Sequence, residues 1–190
     1  MKKAIIIGIL ILAALLFSPD VNATPKEAGS SAVLASGNNA PLSQLVQREK
    51  SFILKKKVIS AVLSKYNSPI LGSEDAFIKA CRAYELDCYL LPAITGLESG
   101  YGRAIIPGSY NGFGWGNGRI MFKDWDDGIL TVGKGLRQNY INRGAETVDQ
   151  IGVIYAASPT WAQRVKAIMA QFEDEERKMN LYLEPYTVQL

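Results

Sequence analysis

One glutamate in this 190-residue sequence stands where acid chemistry could be done. Glu98 follows Leu97 in a run where Leu90, Ile94, Leu97 and Tyr101 recur at the three-and-four spacing of one helix face. Gly100 and Gly102 come directly after, which puts the glutamate in the last turn of the predicted helix. Apolar neighbours disfavour an ionised carboxyl, and the negative end of a helix dipole does so again. A carboxyl kept protonated near neutral pH can serve as a general acid. The plainer reading is a solvated glutamate in a last helical turn, the ordinary place for a lone one.

What the sequence lacks narrows the chemistry further. It contains no histidine, which removes Ser-His-Asp and Cys-His catalysis and the histidine-bearing zinc sites. Its two cysteines are too few for an all-cysteine zinc site. Neither GxGxxG nor GxxxxGK[ST] occurs, so no phosphate-cradling loop is expected. An enzyme made from this sequence must work through carboxylates and tyrosines, without metal or cofactor. The net charge of +3 comes with no concentrated basic run, which argues against a nucleic-acid partner. Lys55, Lys56 and Lys57 adjoin, but apolar residues flank them at helical spacing and a solvated helix face accounts for them. With 48% hydrophobic and 21% charged residues the composition is that of a globular protein.

The elements that must position Glu98 begin after an N-terminal extension. Residues 1–23 read as a secretory signal: Lys2 and Lys3, an apolar run from Ala4 to Phe17, a Ser18-Pro19 break, and small residues before cleavage after Ala23. The apolar run is shorter than the roughly 20 residues of a spanning helix; a retained membrane anchor is the competing reading. The chain is therefore expected in the periplasm, the cell wall or outside the cell. Residues 24–42, rich in Ser, Ala, Gly and Asn, read as a flexible leader. Residues 43–180 make the domain and 181–190 a C-terminal tail.

Within the domain a first helix is expected over 43–66, with Leu45, Phe52, Ile59, Val62 and Leu63 on its apolar side. Ser73 should cap a second, running to Tyr84. The Glu98 helix starts at Asp87 or nearer Tyr89, the latter placing Pro92 harmlessly in the first turn. Cys81 and Cys88 straddle the turn between these helices, and in an exported protein they can form a disulfide or remain two buried thiols. Asn117-Gly118 predicts a short hairpin with Trp115 and Ile120 on its strands. Asp124 or Asp126 can cap a helix with Ile129, Val132, Leu136 and Tyr140 as its stripe. Thr147 and Gln150 form a capping box for a brief helix through Tyr155. Ser158 and Pro159 open the last helix, which buries Trp161, Val165, Ile168 and Phe172 and ends in the solvated run 173–178. The fold class predicted is mainly α, with one small hairpin.

Three segments together resemble one family. LESGYG (97–102), YNGFGW (110–115) and YAASPTWA (155–162) follow the order and spacing seen in bacterial glucosaminidases, the peptidoglycan-cleaving enzymes of the lysozyme-like superfamily. They span about a third of the chain. The resemblance implies a lysozyme-like helical domain with the hairpin beside an active-site cleft. It implies that Glu98 is the general acid and that Tyr155 lies close to it, able to hydrogen-bond the acid or the substrate. Tyr101, Tyr110, Asn111, Phe113 and Trp115 become the expected substrate-binding residues, while Pro159 and Trp161 match the motif as scaffold. The implied partner is the peptidoglycan glycan strand, cut by a monomer that needs no cofactor.

The sequence departs from the family in one respect. A second carboxylate would stand on a β-lobe beside the cleft, yet the stretch from Phe113 to Phe122 contains no Asp or Glu. Asp124, Asp126 and Asp127 lie just beyond it. With a single acid, the substrate's N-acetyl group can assist hydrolysis, or the sugar's 6-hydroxyl can attack and give an anhydro product. Lytic transglycosylases usually carry Gly-Leu-Met-Gln after the glutamate; here the residues are Gly-Phe-Gly-Trp, which favours a glucosaminidase over a transglycosylase, with a muramidase on the same fold as a further alternative. A wall-binding module without chemistry is the reading from another class, and it would need neither Glu98 nor Tyr155.

Overall fold

In the computed structural model the described residues are 41–183. The expected signal, nearly all of the leader and most of the tail lie outside them. Among the described residues the chain forms six α-helices and one 3-10 turn: α1 (Leu42–Lys65), α2 (Glu74–Tyr84), α3 (Leu90–Ser99), α4 (Trp125–Asn139), the turn Ile141–Arg143, α5 (Val148–Tyr155) and α6 (Trp161–Leu183). Helix α6 packs on α1, α3 and α5, while α2 packs on α1 and α4. The domain is mainly helical, as predicted. None of these helices is long and apolar enough to cross a membrane.

Helix α3 carries no polar side. Leu90, Leu91, Pro92, Ala93, Ile94 and Thr95 are all buried, the pattern of a helix enclosed by its neighbours. Pro92 is its third residue, where the backbone N–H has no intrahelical acceptor to lose. Thr95 meets its burial by donating its hydroxyl to the Pro92 carbonyl at 2.8 Å. The turn leading from α2 into α3 is fixed twice. Cys81 and Cys88 form a disulfide with Cα atoms 4.9 Å apart. Arg137 of α4 donates to the carbonyls of Tyr84 and Glu85, which α2 leaves free at its C-terminus.

The far end of α3 reverses direction through three consecutive left-handed residues: Gly100 (φ 57°), Tyr101 (φ 61°) and Gly102 (φ 80°). Tyr101 N–H bonds back to the Thr95 carbonyl at 2.9 Å, a Schellman-type closure. A tyrosine in this region is disfavoured, but its ring folds over Gly96, where a Cβ would lie 2.7 Å from the ring. It then stacks on Tyr66 and meets Phe172 edge-on.

Several expectations need correction. The hairpin is replaced by successive turns: Gly114, Gly116, Asn117 and Gly118 all have positive φ, a backbone that cannot extend into paired strands. The apolar face of α1 begins at Phe52, half-buried against the core, and becomes fully buried from Leu54, whereas Leu45 is exposed. Helix α6 starts at Trp161 rather than Pro159, because residues 159 and 160 form a turn in which Trp161 N–H reaches the Ser158 carbonyl. Tyr140 is the C-cap of α4 and still packs half-buried against the core with the stripe. Lys55 and Glu176, assigned to solvated runs, meet between α1 and α6 at 2.9 Å, and Tyr89 donates its hydroxyl to Glu176 at 2.7 Å. The caps at Asp124 and at Thr147 with Gln150 form as expected.

Glu176 is thus a half-buried acceptor for two donors that lie on α1 and just before α3. Glu176→Ala leaves both without it, and a loss of about 1–3 kcal/mol is expected. Urea unfolding should show an earlier midpoint with unchanged slope; an unchanged midpoint would contradict this role.

Candidate active site

Glu98 and Ser99 end α3 and face opposite ways. Ser99 is 3% exposed. Its hydroxyl lies 2.8 Å from the Gly112 carbonyl and accepts from Gly102 N–H at 2.8 Å, so it joins the helix end to the 109–122 loop. Glu98 is exposed, not enclosed by apolar side chains as its place beside the stripe suggested. It stands in a groove of about 700 Å³ with Ile105, Ile106 and Pro107 on the lining, together with Asn111, Gly114 and Asn117. Glu98 is the one carboxylate among the described residues of that lining.

The carboxylate is held from across the fold. Trp161 Nε1 donates to Glu98 Oε1 at 2.7 Å. The indole is 4% exposed and stacks on the Tyr155 ring, with centroids 4.7 Å apart. Tyr155 leans in turn on Trp115 (5.8 Å) and Tyr140 (6.2 Å). Four aromatic side chains therefore run from α4 to the acid. Trp115 approaches α4 closely because position 135 is glycine; a Cβ there would lie 2.7 Å from the indole.

The structure assigns the expected site residues to different tasks. Tyr155 does lie close to the acid, but its half-buried hydroxyl donates to the Phe113 carbonyl at 2.7 Å. Burial raises this phenol's pKa well above 10.0, and the nearby Glu98 carboxylate and Tyr140 push the same way. Asn111 lines the groove, yet its amide is spent on the loop: Nδ2 donates to the carbonyls of Trp115 (2.8 Å) and Ile120 (3.1 Å), and Oδ1 accepts from Trp115 N–H (2.9 Å). Phe113 is 1% exposed and contributes its carbonyl to the site. Tyr110 is half-buried, edge-on to Trp125. Tyr101 is a core side chain and is not on the groove lining. Trp115 is half-buried and, like Tyr101, is not on the groove lining.

Sequence reasoning missed Trp161 as a partner of the acid, having placed it in the scaffold. Its position beside Pro159 in the third segment was the available signal; the contact itself spans 63 residues of chain. No other carboxylate from the expected set joins Glu98. Asp124 caps α4, Asp127 accepts from the backbone at Lys123, and Asp126 lies in the first turn of α4, off the groove lining. No group of three or more His, Cys, Asp or Glu among the described residues is placed to hold a metal ion. A second depression, between α1 and α6, includes one carboxylate, Glu176, already engaged by Lys55 and Tyr89.

Buried phenols give a testable pH signature. Tyr89, Tyr101, Tyr140 and Tyr155 are all raised above the ordinary 10.0, with burial the leading cause for each. The folded form then holds protons that the unfolded chain has released, so this stabilisation is complete below pH 10 and is lost as pH rises above it. Alkaline titration should show some phenolate absorbance appearing only together with loss of helical circular dichroism. Complete ionisation with intact helices would contradict the burial of these rings.

Two proteins of Streptococcus pneumoniae, from serotype 4 (strain ATCC BAA-334 / TIGR4) and strain ATCC BAA-255 / R6, are 26% identical to this chain over 129 residues, or 62% of it. Both are named "Putative endo-beta-N-acetylglucosaminidase". The match covers 20% and 18% of those relatives, so this chain spans about a fifth of their length. No protein-family model matches the chain.

Proposed function

We propose that this chain is an exported peptidoglycan hydrolase of the endo-β-N-acetylglucosaminidase type, on a lysozyme-like helical domain, with Glu98 as its general acid. The observation that carries the reading is a glutamate whose one oxygen is fixed by an indole while its side chain stands in an open groove. The S. pneumoniae relatives support the class of bond, and the N-terminal signal pattern supports the compartment.

The glycan strand would lie along the groove with a β-1,4 glycosidic oxygen beside Glu98. As the bond to the anomeric carbon breaks, its electron pair goes to that oxygen and the Glu98 proton follows. Two-carboxylate mechanisms place their acids about 5 Å apart, or 6.5–9.5 Å when a water stands between. With one carboxylate on the described lining, the reading favours assistance by the substrate's N-acetyl oxygen, which closes on the anomeric carbon as the leaving group departs. Water then opens that ring, returns a proton to Glu98 and leaves a reducing sugar.

Glu98→Gln should abolish lysis of purified cell walls while stability stays within about 1 kcal/mol of the parent, since no core packing is broken. A mutant with most of its activity would remove Glu98 from the acid role. Mass spectrometry of the released fragments should show reducing N-acetylglucosamine ends; reducing N-acetylmuramic ends would make it a muramidase, and anhydro ends a transglycosylase. Tyr155→Phe should lower turnover about fivefold to tenfold, the effect of roughly 1 kcal/mol from the lost bond to the Phe113 carbonyl. Unchanged turnover would return Tyr155 to the scaffold.

A further inference from the structure

Among the described residues Glu98 is the one carboxylate met by an indole. An indole N–H can only donate. Glu98 Oε1, at 2.7 Å from Trp161 Nε1, is therefore always the accepting oxygen, whether the carboxyl is charged or neutral. A proton on this carboxyl is favoured on Oε2, because a protonated Oε1 would offer the indole only a weaker acceptor. That oxygen faces Gly114, where a Cβ would come within 3.3 Å of it. Gly114 has φ 65°, a backbone suited to glycine, and the missing side chain leaves Oε2 uncovered beside the groove.

The indole itself has little freedom. It is nearly completely buried, stacked on Tyr155 and backed by Gly152, where a Cβ would lie 3.0 Å from Cε3. Tyr155 is tied to the Phe113 carbonyl on the same loop that carries Gly114. The donor, the acid and the loop over Oε2 are thus fixed to one another by three elements: α6, α3 and residues 109–122.

We infer that Trp161 is a positioning residue, whose N–H holds Glu98 Oε1 so that the transferable proton stands on Oε2, toward the groove. This rests on the reading of Glu98 as the acid. Without the indole donor the carboxyl can rotate and present its proton on either oxygen, so the chemical step suffers while substrate binding does not.

The test compares wild type, Trp161→Phe and Glu98→Gln on solubilised peptidoglycan strands, with kcat and KM measured separately. Phenylalanine keeps the stack on Tyr155 and removes the N–H. Trp161→Phe is expected to lose at least tenfold in kcat with KM within about twofold. Activity within twofold of wild type, or a fall carried by KM, would overturn the positioning role. An inactive Glu98→Gln beside a fully active Trp161→Phe would overturn this inference alone; an active Glu98→Gln would overturn the reading beneath it. If Trp161→Phe fails to fold, indole resonances of 15N-labelled wild type and Glu98→Gln decide. The Trp161 N–H signal should exchange slowly with water and move on Glu98→Gln, and a signal left in place would overturn the inference.

Discussion

The site depends on how α3 ends. The helix is buried from Leu90 through Thr95, so it can offer a polar side chain only where it leaves the core. It does so within two residues: Glu98 faces the groove and Ser99 turns inward. The Ser99 hydroxyl then joins α3 to Gly102 and to Gly112. The left-handed run at Gly100, Tyr101 and Gly102 brings the chain back under this joint, with Tyr101 clamped over Gly96 and held at its carbonyl by the Ser68 hydroxyl. The Glu-Ser-Gly triplet therefore combines an exposed acid, a buried tie and a chain reversal in three consecutive residues.

Much of this was legible because its causes are local. A carboxylate one residue past an apolar stripe, followed by glycines, places Glu98 in a last helical turn without knowledge of the fold. The caps at Asp124 and Thr147 are signalled within four residues of their acceptors, and the cysteine pair lies across one turn. What escaped depends on partners far away in sequence. Nothing near Glu176 announces Lys55 or Tyr89, so a charged run at a helix end looked solvated. Trp161 looked like an ordinary core aromatic because its acceptor is on another helix.

The missed hairpin has a different cause. Asn117-Gly118 does adopt the left-handed turn its residues favour, with φ 56° and 75°. Gly114 and Gly116 take the same conformation, however, and the flanking residues curl instead of extending. Asn111 then gathers the curl through its side-chain amide, while Phe122 N–H closes the loop onto the Ser109 carbonyl. An asparagine first read as a substrate ligand shapes one wall of the groove. The resemblance alone gives Tyr101 to the substrate; the periodicity sets it on the apolar stripe, and its ring does enter the core, over Gly96.

Under the proposed reading, a groove with one carboxylate on its described lining, backed by stacked aromatic rings, places a narrow demand on the glycan, because the substrate must supply what a second carboxylate would have done. The central claim is that position 98 delivers a proton to a bridging sugar oxygen inside the groove bounded by Ile106 and Gly114. A crystal structure of Glu98→Gln with a peptidoglycan tetrasaccharide tests it most directly. A glycosidic oxygen should lie within about 2.6–3.2 Å of the residue 98 side chain, the reach that acid catalysis requires. A saccharide seated elsewhere, such as the depression between α1 and α6, with the Glu98 groove unfilled, would contradict it.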